Sequence, residues 1–132
     1  RNLATGLKAV GLDLSGVVSL MIYLPRYEGA AEVSEVLAAA FGTDSKTLPA
    51  ITIVGVAGLD DGCRVRMDAI ATTSPDRASF RFQDLPLAQG ALCHGVRVGD
   101  FVFLSGVDAT DGVHTQDLRI ANDAPLAGFA AP

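Results

Sequence analysis

The sequence predicts an α+β domain, a mixed sheet with two helices packed on one face. Three observations predict it. Apolar residues recur at helical spacing in two stretches, 2–10 and 28–41. Between them, Val17 to Leu24 (VVSLMIYL) is an almost unbroken apolar run rich in β-branched residues, the pattern of a strand buried on both faces. Beyond the second helix, short strand-like runs alternate with Gly and Asp turns. With 132 residues, 49% of them apolar, the chain is sized for one domain with a proper core.

Taken in order, the first helix spans 2–10, with Leu3, Leu7 and Val10 on one face and Gly11 as its stop. No Ser, Thr or Asp caps its start, and Arg1 sets positive charge at the wrong end of the dipole. The expectation is a helix that has lost its first turns. Pro25 ends the first strand, and Glu28 to Phe41 forms the second helix. Its apolar face holds Val33, Val36, Leu37, Ala40 and Phe41, and Gly42 ends it. Ile51 to Ala57 is a strand, and Leu59-Asp60-Asp61-Gly62 a turn. Arg64 to Thr72 is a strand with Arg64, Arg66 and Asp68 on one face and Val65, Met67 and Ala69 on the other. Thr73 to Asp84 is a polar connection, with Phe80 to Phe82 a candidate short edge strand. Leu92 to Val98 and Asp100 to Ser105 make a hairpin around Gly99-Asp100. Thr110-Asp111-Gly112 is a further turn, and Asn122 to Pro132 shows no clear element.

The net charge of −5 argues against nucleic acid, whose phosphates need a basic face. No apolar run reaches about 18 residues, so no membrane-spanning helix is expected. No signal peptide is visible, and Arg1 in place of Met suggests a processed or excised chain. Cys63 and Cys93 lack metal-ligand spacing and read as free thiols in a reducing cytoplasm. Neither a metal nor a cofactor is expected.

Three segments carry a resemblance. They are PAITIVGVAGLDDGCRVRMDAIA (Pro49 to Ala71), VRVGDFVFLSG (Val96 to Gly106) and NLATGLKAVGLDLSGVVSLMIYL (Asn2 to Leu24). Together they resemble the Rid family (reactive intermediate deaminase, also called YjgF or L-PSP). Pro49 to Ala71 looks like the family's closing strand pair. Asn2 to Leu24 looks like its first helix and following strand, and Val96 to Gly106 like its opening hairpin. The order is rotated. Residues 1–72 resemble the family's C-terminal half, 85–132 its N-terminal half, and 73–84 the connection. A circular permutation and a window cut from a tandem protein both produce this order.

The resemblance implies a chorismate mutase-like α+β fold. It also implies a homotrimer, or a pseudo-trimer of tandem domains, with small-molecule clefts between subunits. Family deaminases hydrolyse imines and enamines derived from amino acids. An Arg holds the substrate carboxylate as a fork, and a Glu handles the attacking water. This chain departs from that pattern. Ile51 stands where the family's Arg follows Pro-Ala, Arg66 where its Glu precedes Asp68, and Leu92 at its Tyr position. Its Ser is kept as Ser105, and its Asn position falls near Ser34. Arg66 cannot act as a base near neutral pH.

The candidate ligand-binding residues are therefore Arg66, Ser105, His94, Ile51 and Leu92. Arg66 could supply an anion anchor from a different strand, or simply pair with Asp68. His94, alternating with Leu92, would face the cleft as a base; a histidine bonded to a neighbouring carbonyl is the plainer reading. Cys93 would then point into the core. His114 reads as exposed, Asp13 and Ser15 as turn residues, and Tyr23 and Tyr27 as packing residues. The function expected is binding or hydrolysis of a small metabolite. The alternatives are a non-catalytic binding or scaffolding module and one part of a tandem enzyme.

Overall fold

The computed structural model describes residues 1–107. The turn at 110–112, His114 and the 122–132 segment lie outside the described residues. Helix α1 (Asn2–Ala9) starts without a side-chain cap, as its sequence suggests. It ends where Gly11 takes a positive φ of 74°, so that the Leu12 N–H reaches back to Leu7 O at 2.9 Å. A short 3₁₀ turn follows, capped by Asp13, whose carboxylate accepts from the Ser15 N–H at 2.8 Å.

Strand β1 (Val17–Leu24) leads through a second 3₁₀ turn to helix α2 (Ala30–Phe41). Strands β2 (Ala50–Gly55) and β3 (Arg66–Ala71) complete a mixed sheet in the order β2-β1-β3. β1 runs parallel to β2 and antiparallel to β3. The strands on either side of the Leu59–Gly62 turn are therefore not neighbours, because β1 lies between them. A parallel β1–β2 pair needs a long crossover, and α2 supplies it.

The helices cover one face of this sheet. Leu20, Ile22, Leu24 and Ile51 pack there with Leu7, Ala30 and Leu37. The face of α2 is rotated from the sequence reading: Val36 is 62% exposed and Ala40 is exposed, while Ala30 and Leu37 are buried. Among the described residues, no helix covers the opposite face. Met21, 38% exposed, and Tyr23 lie on it, so β1 is fully buried on one side only.

Strands β4 (Arg77–Phe80), β5 (Gly95–Val98) and β6 (Phe101–Leu104) form a second, antiparallel sheet in the order β4-β5-β6. The hairpin turns at Gly99, where φ is +55°. β5 begins at Gly95 rather than Leu92, and the added strand is Arg77–Phe80 rather than Phe80–Phe82. Gly95 is confined: a Cβ there would lie 2.7 Å from Phe103 O.

Asp13 also gives the fold a small pH dependence. The Ser15 hydroxyl and N–H hold its carboxyl below the ordinary value of 3.8. A folded value below the unfolded one stabilises at neutral pH and loses that effect as pH falls through the folded value. Urea melts of Asp13→Asn should therefore show a deficit against the parent chain at pH 7 that shrinks on acidification below 3.8.

Candidate functional site

The second sheet meets the first at an otherwise open edge. β2 is an edge strand, and its outward backbone groups need partners. Residues more than 25 positions further along the chain supply them. The Ile51 N–H donates to Ser105 Oγ at 3.0 Å, and Ile51 O accepts from the Gly106 N–H at 3.2 Å. Ser105 Oγ itself donates to Cys93 O at 2.6 Å. Leu48 O accepts from Arg77 Nη2 at 3.1 Å and from Ser79 Oγ at 2.6 Å. The Cys93 thiol points at Pro49 O, 3.2 Å away. A second apolar cluster of Val18, Leu48, Ala50, Cys93 and Val96 seals this seam.

Arg77 ties the same seam to β1. Its Nη1 donates to Ser15 O and to Val17 O, the latter at 3.1 Å. Sequence reading passed over Arg77 because it sits in the polar 73–84 connection. The available signal was the alternation of Arg77 and Ser79 with Ala78 and Phe80.

A cavity of about 130 Å³ opens along the seam. Tyr27, Ile51, Thr52 and Ile53 line it from the first half of the chain, and Gln89 and Gly106 from the second. The main chain at Gly90 packs close beside it: φ is +80°, and a Cβ would meet the Ile53 side chain at 2.4 Å.

The five candidate residues divide across the structure. Ile51 and Ser105 meet, but through the Ile51 backbone, and the Ile51 side chain is buried among the helix-side residues. Leu92 packs half-buried where the two core clusters meet. His94 does not share a face with Leu92 in a strand, because both residues precede β5. Its Nδ1 accepts from the Phe82 N–H at 2.9 Å, which places the proton on Nε2, 3.0 Å from Leu85 O. Both ring nitrogens are thus occupied in pinning the 82–85 segment. Arg66 is two strands from β2 and pairs with Tyr23, whereas Ile51 pairs with Leu20. The two side chains therefore point to opposite faces of the sheet. Arg66, 64% exposed, lies 3.4 Å from Asp68 and 5.9 Å from the Tyr23 ring centre. Such an exposed pair contributes at most about 1 kcal/mol.

Burial pushes the Cys93 thiol above its ordinary range, whereas Cys63 is exposed. A thiol buried in apolar surroundings is poorly reactive. With an aromatic disulfide reagent, Cys63 should react at once. Cys93 should wait for opening of the fold, about 10³-fold slower or more for an opening free energy near 4 kcal/mol. Equal rates would contradict the buried placement.

No metal-holding group of His, Cys, Asp or Glu occurs among the described residues. No helix among them is long and apolar enough to cross a membrane.

The family model described as Endoribonuclease L-PSP matches residues 1–73. A candidate endoribonuclease from Thermotoga maritima is similar at 30% identity, with 55% of each chain covered and a TM-score of 0.51. Yeast Mmf1 is similar at 29% identity, covering 55% of this chain and 56% of its own, with a TM-score of 0.51. A member of the YjgF/YER057c/UK114 family from Mycobacterium tuberculosis is 35% identical over 54% of this chain and 58% of its own, with a TM-score of 0.49. The chain thus spans little more than half the length of these solved structures. A comparison with curated proteins gave no significant match. The matched segment holds α1, β1, α2, β2 and β3, the helix-covered mixed sheet on which the seam is built. On that match the chain belongs to the L-PSP, or YjgF/Rid, family.

Proposed function

We propose that this chain is a Rid-type domain that binds a small metabolite in the cleft along its seam, without the family's usual hydrolytic chemistry. The observation that carries the reading is the cavity of about 130 Å³ walled by both halves of the chain, with Ile51 on one side and Gly106 on the other. Ile51 is a position that the family resemblance directs at its cleft, and Gly106 directly follows another, Ser105. Support for binding without hydrolysis comes from four side chains. Ile51 offers no fork for a carboxylate. Arg66 points to the far face of the sheet. Ser105 and His94 have their polar atoms committed to backbone partners.

The rotated order belongs to the same proposal. Residues 1–72 act as the family's C-terminal half and 85–132 as its N-terminal half, joined by 73–84. The open face bearing Met21, Tyr23 and Ile70, the last 53% exposed, suits assembly into a trimer or a pseudo-trimer of tandem domains. A cytoplasmic setting fits the two free thiols.

Hydrolysis of 2-iminopropanoate, followed by its absorbance, tests the chemistry. The expected rate equals the uncatalysed one. Turnover at a few per second that is lost on substitution of Gln89 or Thr52 would overturn the non-catalytic reading. Native mass spectrometry tests assembly, and a monomer mass would count against the trimer.

A further inference from the structure

A second concavity shares no lining residue with the cleft above. It is a groove of about 530 Å³ between the Gly11–Gly16 turn, Lys46-Thr47 and the 72–77 connection. Its charge is out of balance. Arg77 lines it, and the three hydrogen bonds of its guanidinium go to carbonyl oxygens, of Ser15, Val17 and Leu48. No carboxylate among the described residues lies within 4 Å of its guanidinium, and its Nε is buried with no partner. Burial draws the Arg77 pKa down, the mark of a charge short of compensation. Carbonyl dipoles satisfy N–H groups but do not neutralise a cation.

Lys46 lines the same groove and forms no ion pair among the described residues. Thr47, Thr73 and Ser74 add hydroxyls to the walls. Asp13 is the one acid among the lining residues, and its carboxylate is already held by the Ser15 N–H and hydroxyl. The groove therefore carries two cations against one engaged anion.

We propose that this groove is a binding site for a compact oxyanion, a phosphate ion or the phosphate group of a small metabolite. The anion supplies the counter-charge that Arg77 lacks. Lys46 and the hydroxyls of Thr73 and Ser74 provide the donors that contact it, the Thr47 hydroxyl being engaged with Asp44 O. Residues 72–76 join β3 to β4, so an occupant there also clamps the seam.

The test uses the ¹⁵N-labelled full chain, titrated with sodium phosphate and, separately, with sodium chloride at matched ionic strength. Phosphate should give saturable shifts in the amides of Lys46, Thr47, Thr73 and Ser74, with a Kd of about 1 mM. Chloride should give none that saturate. Lys46 is exposed and its side chain makes no hydrogen bond among the described residues, so Lys46→Glu keeps the fold. It should weaken phosphate at least about tenfold. Asp13→Asn removes the opposing charge and should tighten phosphate severalfold. Equal saturation by chloride would overturn the proposal. So would shifts confined to Tyr27, Gln89 and Gly106, or the same direction of change in both variants. Acetate binding as tightly as phosphate would overturn the assignment to phosphate.

Discussion

Replacing Arg77 by methionine should lower the unfolding free energy by about 3–5 kcal/mol. The methionine keeps most of the aliphatic packing but strands the carbonyls of Ser15, Val17 and Leu48. Hydrogen bonds from a charged donor contribute about 1.5–3 kcal/mol each and do not add fully, and the exposed Ser15 carbonyl can turn to water. Lysine is the informative control. It keeps the charge but offers a point donor in place of a planar fork, so it cannot serve three carbonyls on two segments. Arg77→Lys should recover less than half of the loss. Urea denaturation with far-UV circular dichroism measures both. If the lysine variant matched the parent chain, charge rather than the fork would be what holds the seam.

Ser105→Ala should cost about 2–4 kcal/mol. The serine is 5% exposed, and its hydroxyl serves two backbone groups at once, accepting from Ile51 N–H and donating to Cys93 O. Alanine leaves a donor and an acceptor unsatisfied in the interior, each costing about 1–3 kcal/mol, with partial relaxation expected. Threonine should recover part of the loss if its methyl can be accommodated, because it restores the hydroxyl. A serine that served only a ligand would cost less than about 0.5 kcal/mol on removal in the ligand-free protein. The size of the effect therefore separates a seam residue from a cleft residue.

The local elements were legible in the sequence and the seam was not. Val17–Leu24 could be read to the residue because its apolar run and Pro25 leave little choice. The Gly99 hairpin was legible because the turn demands a positive φ. α2 shifted its buried face because its small residues, Ala38 to Ala40, give the apolar pattern little contrast. The seam depends on side chains meeting backbone groups 29 to 54 positions away, as in Arg77 with Leu48 and Ser105 with Ile51. Periodicity carries no trace of such contacts. Ser105 stood out in the sequence through the family's Ser-Gly hairpin, yet its hydroxyl is spent on the backbone. Ile51 and Arg66 stood out as departures from the family's pattern. Only the pairing register, Ile51 with Leu20 and Arg66 with Tyr23, reveals that they lie on opposite faces of the sheet.

The central claim is that the chain's two halves close on each other along the edge of β2 and fold as one unit. Native-state hydrogen exchange tests it most directly. Amides of β1, such as Leu20 and Ile22, and of β5, such as Val96, should open with the same free energy. Ser105→Ala should lower both by the same amount, about 2–4 kcal/mol. If β5 exchanges several kcal/mol more readily than β1, and the substitution leaves β1 unchanged, the second sheet is not integral to the domain and the account fails.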